Sequence, residues 1–189
     1  MNQLNTPGSA IIVAASETDL PVISRLAGVI WRACYPGIIA TAQIDYMLAR
    51  MYALDTMREE IQSQGIHYKL LFVGGQPAGF ASYGPVVGTP RRPESFRGTA
   101  PRAVPAFKLH KLYLLPELQG CGLGSWLLQH CEQEVRAAGA RRLILSVNKR
   151  NARAIAAYRR TGFVIAESVV TDIGGGFVMD DYIMAKELE

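Results

Sequence analysis

A glycine-rich junction near the middle of the chain constrains the fold most. Residues 112–140 read LYLLPELQGCGLGSWLLQHCEQEVRAAGA, with Gly120, Gly122 and Gly124 between an apolar run and an amphipathic helical pattern. Glycine weakens a chain locally because it loses the most backbone freedom on folding, so a close approach to the backbone must offset this loss. The sequence therefore predicts a strand, a tight turn and a helix whose first N–H groups form an anion site.

Two common phosphate-binding motifs do not fit this junction. A Walker loop needs a lysine after its last glycine, and none follows here. A dinucleotide GxGxxG motif fails as well, because its last position is Ser125 when counted from Gly120 and Leu127 when counted from Gly122. The spacing that remains is Gln119-x-x-Gly122-x-Gly124.

This spacing resembles the pyrophosphate-binding segment Q/R-x-x-G-x-G/A of the GNAT superfamily of acyl-CoA-dependent N-acetyltransferases. Further along, LSVNKRNARAIAAYRRTGF is similar to a second segment of that family, with Asn148 at a strand end, Asn151 opening a helix and Tyr158 within it. On these two segments, within residues 107–163, the chain is identified as a member of the superfamily. Nearer the start, WRACYPGIIATAQIDYML is similar to the first two helices of a subset of small-molecule members, so the resemblance implies the small-molecule type.

The hydrophobic periodicity along the chain gives the order strand, two helices, three strands, helix, strand, helix, two strands. This order agrees with the family fold over residues 10–188. We therefore expect an α/β fold with a central mixed, mostly antiparallel seven-stranded sheet flanked by about four helices. The resemblance implies that the sheet is splayed between its fourth and fifth strands. We expect one domain over residues 1–189, with a loose tail at 1–9 and an exposed Pro- and Arg-rich loop at 88–102.

The composition limits the class of protein. With 189 residues, 49% of them apolar, the chain can bury a sizeable core. The formal charge of +4 fits a solvated basic surface or an anionic small ligand. Nucleic-acid binding is disfavoured, because the sequence has no dense basic stripe with interleaved aromatics. The odd number of cysteines, three without a CxxC pair, favours a reducing compartment and disfavours a disulfide framework or a zinc site. Without a signal-peptide pattern or a long apolar run, we expect a cytoplasmic protein that does not enter membranes.

The resemblance also implies the ligands. Acetyl-CoA is the expected cosubstrate, a small-molecule amine is the expected acceptor, no metal is needed, and a homodimer is possible. The backbone of the strand before the loop is expected to bond the pantetheine arm, with help from the two asparagines, while the loop binds the pyrophosphate. The residues so assigned are Leu112, Tyr113, Leu114, Gln119, Gly120, Cys121, Gly122, Leu123, Gly124, Ser125, Asn148 and Asn151.

Two residues are the expected catalysts. Tyr158 is the candidate general acid, because a phenol titrates near ~10, just above a thiol near ~8.5, and can protonate a leaving thiolate. Glu117 is the first candidate for the base, and His110, Glu94 or water are alternatives. For a cationic acceptor, Asp45 and Tyr46 are candidate ligands or simply a solvated helix surface.

Two other functions remain open at this point. The same fold acetylates protein N-termini or lysine side chains when its acceptor site is an open groove. A non-catalytic module that only binds acyl-CoA is the second alternative, and the presence of Tyr158 and Asn151 argues against it.

Overall fold

The computed structural model describes residues 9–86 and 106–188, and these residues form one seven-stranded sheet with five α-helices. The predicted tail at 1–9, apart from Ser9, and the predicted loop at 88–102 lie outside the described residues. The strands are β1 (Ala10–Ala14), β2 (His67–Val73), β3 (Gln76–Pro85), β4 (Ala106–Leu114), β5 (Arg142–Asn148), β6 (Val164–Gly174) and β7 (Phe177–Glu187). The helices are α1 (Leu20–Cys34), α2 (Thr41–Met51), α3 (Leu54–Ser63), α4 (Leu123–Ala137) and α5 (Ala152–Arg160).

The sheet has the strand order β1-β2-β3-β4-β5-β7-β6. Every neighbouring pair is antiparallel except β4 and β5, which run parallel. The seven-stranded, mixed and mostly antiparallel sheet predicted from the sequence is confirmed.

The two parallel strands separate along their length. β4 pairs with β5 only through residues 106–109 against residues 142–145, although β4 continues to Leu114 and β5 to Asn148. The expected splay is therefore confirmed. We call the gap between residues 110–114 and residues 146–148 the opening.

Two apolar cores lie on opposite sides of the sheet. The α4 face, covered by α4 and α5, buries Leu127, Leu143 and Phe163 at 1% exposure or less. The α1 face, covered by α1, α2 and α3, buries Trp31 and Phe80 to the same degree. Since side chains alternate along a strand, each central strand supplies residues to both cores. No helix among the described residues is long and apolar enough to cross a bilayer.

The sequence predicted two helices between the first and second strands, and the structure has three, which makes five α-helices rather than about four. The chain leaves the helical conformation at Tyr52 and Ala53, although neither Gly nor Pro occurs there. The Tyr52 ring packs in the core at 2% exposure, and its carbonyl accepts a 2.9 Å hydrogen bond from Ser24 Oγ. Tertiary contacts of Tyr52 thus replace the helical hydrogen bond that the break removes.

A bulge in β4 changes which residues face each core. Ser82 of β3 pairs with Lys111 while the next residue, Tyr83, pairs with Leu109, so His110 is extra. Leu109 therefore faces α4, whereas Lys111 belongs to the α1 face.

The bulge places a buried lysine in the core of the α1 face, where its ammonium group has an ionic partner and a hydrogen-bond partner. Lys111 is 3% exposed, and its Nζ lies 2.6 Å from Glu60 and 2.7 Å from the Tyr68 hydroxyl. A buried ammonium needs such partners, because transferring it from water to the protein interior without a counter-ion costs several kcal/mol. This cluster fixes the part of β4 that borders the opening.

Candidate active site

The glycine junction forms the start of α4. Glycine is required there for two different reasons, backbone conformation and close packing. Gly120 has φ 91° and Gly122, the residue that precedes α4, has φ 90°, a region that strains any residue with a Cβ. A Cβ on Gly124 would meet the Leu114 side chain at 3.3 Å, so this glycine lets the first turn of α4 pack against β4. Among the described residues no side chain caps α4, so its first N–H groups remain available to an anion.

Two side chains of the loop form contacts within the protein. Gln119 Nε2 donates to the Leu114 carbonyl at 3.0 Å and approaches Cys34 Sγ at 3.3 Å. The exposed Cys121 thiol donates to the Leu118 carbonyl at 2.9 Å. Gln119 therefore fixes the position of the loop against the end of β4.

The edge of β4 that faces the opening carries free backbone groups. The N–H of Leu115 bonds to the Ala78 carbonyl of β3, at 2.9 Å. Along an antiparallel strand, the backbone N–H and C=O groups of successive residues point to alternate neighbours. The backbone of Tyr113 therefore also bonds to β3, and the backbone groups of Leu112 and Leu114 point to the opening. Of the three residues assigned to pantetheine, these two have the backbone orientation that a ligand in the opening needs. The Tyr113 backbone faces β3.

The two asparagines build the turn that follows β5. Asn148 Oδ1 accepts from the Arg150 N–H at 3.0 Å, and Asn151 Oδ1 accepts from the Ala154 N–H at 3.1 Å, which caps α5. Each oxygen thus holds a backbone N–H of the turn, which leaves the NH₂ group of each side chain as a donor for a ligand.

Tyr158 lies on α5 beside Phe163, with the ring centroids 5.7 Å apart. Burial raises the pKa of Tyr158 above its usual range, and the nearby Tyr35 raises it further. The phenol is therefore protonated at neutral pH, as a general acid must be before it acts.

The candidate bases have different environments. Glu117 is exposed in a 3-10 turn between β4 and the loop. His110 is half-buried in the bulge, and burial, together with Lys108 and Lys111, lowers its pKa to about 4, so it is neutral at pH 7. Glu94 lies outside the described residues.

Apart from Tyr113, the sequence did not single out the residues on the α1 face of the opening. The hydroxyl of Tyr35, just beyond the end of α1, lies 3.3 Å from the Tyr113 hydroxyl. Burial raises the pKa of Tyr35 while the Tyr113 hydrogen bond lowers it, and the carboxylate of Asp181 on β7 raises it further. Lys108 of β4 is close enough to Asp181 to lower the pKa of that carboxyl. The only sequence signal was the alternation in FVMDDYIM, which places its two aspartates on opposite faces.

The segment between α1 and α2 is fastened at this face. Arg150 donates to the carbonyls of Gly37 at 2.7 Å and Ile38 at 3.0 Å. Gln43 of α2 donates to the Val178 carbonyl of β7 at 2.8 Å. These bonds connect the segment to the end of β5 and to the β6–β7 hairpin.

The two residues considered for a cationic acceptor have partners elsewhere. Asp45 is 55% exposed and pairs with Arg32 at 2.8 Å, and the Tyr46 hydroxyl donates to the Ile173 carbonyl at 2.7 Å. Within the described ranges, no group of three or more His, Cys, Asp or Glu residues is placed to hold a metal ion.

Comparison with known proteins gives a family match over most of the chain. Residues 30–163 match the model of the Acetyltransferase (GNAT) family. The L-methionine sulfoximine/L-methionine sulfone acetyltransferase of Pseudomonas aeruginosa is 36% identical over 93 residues, covering 49% of this chain and 46% of that protein. An uncharacterized N-acetyltransferase of Mycobacterium tuberculosis is 37% identical over 81 residues, covering 43% of this chain and 51% of that protein. The chain thus spans about half the length of the curated relatives that it matches.

Solved structures share the fold over nearly the whole chain. The PaiA N-acetyltransferase from Thermoplasma acidophilum, in complex with coenzyme A, has a TM-score of 0.72 at 23% identity, covering 95% of this chain and 99% of that one. The structure of YncA from Salmonella typhimurium, with its cofactor acetyl-CoA, has a TM-score of 0.61 at 22% identity, covering 96% of this chain and 95% of that one.

Proposed function

Because this chain belongs to the Acetyltransferase (GNAT) family, we propose that it transfers an acetyl group from acetyl-CoA to the primary amine of a small molecule. Acceptor and donor would meet in a ternary complex, with direct attack of the amine on the thioester. One observation carries this proposal: an uncapped helix start and an unpaired strand edge border the same opening.

These two features suit the two parts of coenzyme A. The N–H groups at the start of α4 suit a diphosphate, because they point outward and carry the positive end of the helix dipole. The edge groups of Leu112 and Leu114 suit the amides of a pantetheine arm, which can lie along β4 as an additional strand would. Gly122 and Gly124 let both the ligand and β4 approach α4 closely.

The residues around the opening account for the chemistry. A backbone N–H at the edge of β4 polarises the thioester carbonyl, and the neutral amine nitrogen attacks its carbon. A C–N bond forms, the C–S bond breaks, and the Tyr158 hydroxyl gives its proton to the leaving thiolate. The proton lost by the amine passes to water or to a nearby base, for which Glu117 is one candidate.

The acceptor side favours a small molecule over a protein. A protein N-terminus needs an open groove, whereas Arg150 and Gln43 fasten the α1–α2 segment at this side. The Pseudomonas aeruginosa relative is named for two amino-acid-like acceptors, which directs the search towards amino acids and their analogues.

A thiol-release screen tests the proposal. Acetyl-CoA is offered with L-methionine sulfone, L-lysine, spermidine, an aminoglycoside and a short peptide with a free N-terminal alanine. We expect one or more of the small amines to release CoA faster than hydrolysis does. Saturable acetyl-CoA binding without transfer to any amine would support a binding module, and transfer to the peptide alone would support a protein acetyltransferase.

A further inference from the structure

We propose that the carboxylate of Asp181 binds the ammonium group of the acceptor on the α1 face of the opening. This inference rests on the function proposed above and names the residue that selects a cationic acceptor. Neither the glycine junction nor the second family segment contains Asp181.

The position of Asp181 in the sheet is the first argument. Asp181 of β7 pairs with Asn148, the last residue of β5, and so lies level with the opening. Its neighbour two residues away, Met179, packs into the α1-face core and contacts Gln43 of α2. Because residues two apart share a face of a strand, Asp181 also points to the α1 face. The adjacent Asp180 belongs to the other face.

The burial of Asp181 is the second argument. Asp181 is only 8% exposed, and its Oδ1 atom is buried with no hydrogen-bond partner among residues 9–86 and 106–188. A buried carboxylate without a partner is costly, and such groups in folded proteins are usually paired or await a ligand. Asp181 forms no ion pair within 4.0 Å in the described part of the chain.

The charged groups around Asp181 do not remove the need for a partner. Lys108 on β4 and Lys149 after β5 are close enough to act on it electrostatically, and Asp180 opposes them. Lys149 is already paired with Asp180 and lies over the Tyr182 ring on the other face. Lys108 is half-buried, and burial lowers its pKa.

The third argument is the neighbourhood of Asp181. Asp181 acts on Tyr35, and Tyr35 in turn acts on Tyr158, the proposed acid. Tyr35 is therefore close enough to both Asp181 and Tyr158 to interact with each electrostatically. An ammonium has three N–H donors, so it can bond Oδ1 of Asp181 and still donate to neighbouring oxygens. It then gives one proton to water or to a nearby base, and the neutral nitrogen attacks the thioester.

The sign of the pH dependence follows from the charges. Burial raises the pKa of Asp181, with Asp180 adding to this rise and Lys108 and Lys149 opposing it. A carboxyl with a raised pKa is charged only above that pKa, so acceptor binding should weaken as the pH falls through it. The acceptor amine itself stays mostly protonated over that range, since amine pKa values run from about 7.7 for an α-amino group to about 10.4 for a lysine-type amine.

The test uses the best acceptor found in the screen and compares two neighbouring variants. In Asp181→Asn we expect kcat/KM for the acceptor to fall about 10- to 100-fold, the value of a hydrogen bond to a charged group. The KM for acetyl-CoA should stay within about twofold, since the donor contacts lie on backbone groups. Asp180→Asn is the matched control, because Asp180 is exposed and faces away, and it should leave both values unchanged. Asp181→Glu should recover part of the loss.

A second measurement needs no variant. The dissociation constant of the same acceptor from the wild-type complex with CoA is followed by calorimetry from about pH 7.5 to about pH 4.5. We expect the affinity to fall towards acid pH, and we expect the fall to be absent in Asp181→Asn. A flat wild-type profile, or equal kinetics in Asp181→Asn and wild type, overturns the inference. A wild type that binds CoA and transfers to no amine instead refutes the proposed function.

Discussion

The two sides of the opening between β4 and β5 are built in different ways. On the α4 side, the groups offered to a ligand are backbone N–H groups from residues 112–125, one continuous stretch. On the α1 side, they are side chains of Tyr35, Tyr113 and Asp181, which come from the residue after α1, from β4 and from β7. A backbone site constrains a short segment to glycines at fixed spacing, whereas a side-chain site leaves no local pattern.

This difference fits the roles that we propose for the two sides, with the acetyl donor on the α4 side and the acceptor on the α1 side. A diphosphate and a pantetheine arm are the same for every acetyl-CoA-dependent enzyme, so a fixed backbone geometry suits them. Acceptors differ, and side chains on separate elements can change without disturbing the fold. Four predictions separate the two sides, in order of expected effect.

Removing the Tyr158 hydroxyl tests the residue at which both sides meet. We expect Tyr158→Phe to lower kcat about 10²- to 10⁴-fold, the usual contribution of a positioned acid. Calorimetry should show CoA affinity close to that of the wild type. Because the pKa of Tyr158 is raised, the wild-type kcat should show no loss from this group as the pH rises to about 10. An unchanged kcat in the variant would exclude Tyr158 as the acid.

Replacing Lys111 tests the buried polar cluster under the α1 face. We expect Lys111→Met to lower the free energy of unfolding by about 3 to 5 kcal/mol, because Glu60 is then left without its ammonium partner. Arg32→Met is the control, since Arg32 and Asp45 form a pair that is 61% and 55% exposed. The control should change stability by less than about 1 kcal/mol in urea unfolding. Equal losses in both variants would show that burial of the pair is not the cause.

Two glycines at opposite ends of α4 provide a matched test of the proposed CoA-binding site. Gly122 has φ 90° and Gly139 has φ 84°, so alanine should strain both positions by about 1 to 2 kcal/mol. Only Gly122→Ala should weaken CoA binding, by about 10- to 100-fold, because its methyl group occupies the anion site. Unfolding and calorimetry together decide this, and similar CoA affinities in the two variants would place the diphosphate elsewhere.

Releasing the α1–α2 segment should have the smallest effect. Arg150→Met removes two hydrogen bonds from an exposed guanidinium, worth about 1 kcal/mol in total, so we expect the acceptor KM to rise about fivefold. The KM for acetyl-CoA should not change. Arg153→Met, on the exposed side of α5, is the control. An altered KM for acetyl-CoA alone would assign Arg150 to the donor side.

The sequence predicted the elements whose signals are local. The strand–glycine–helix junction, the Asn151 cap and the order of the strands along the chain all follow from neighbouring residues. The break at Tyr52 has no local signal, because it depends on Ser24 and on the core that receives the ring.

The acceptor side could not be predicted for a related reason. The bulge at His110 becomes visible only in the pairing of β4 with β3, and it decides that Lys111 and Tyr113 face α1. In the sequence, nothing distinguishes Asp181 from other charged strand residues. Only its pairing with Asn148 shows that it lies level with the opening. Such positions depend on strand register, which hydrophobic alternation alone does not fix over long separations.

Amide hydrogen exchange at three consecutive residues tests the central claim most directly. The N–H groups of Leu112 and Leu114 point to the opening, whereas that of Tyr113 is bonded to β3. On saturation with CoA, we expect exchange at Leu112 and Leu114 to slow about tenfold or more, and exchange at Tyr113 to stay as it is. CoA binding that leaves Leu112 and Leu114 unprotected would contradict the account, because the ligand would then lie away from the opened edge of β4.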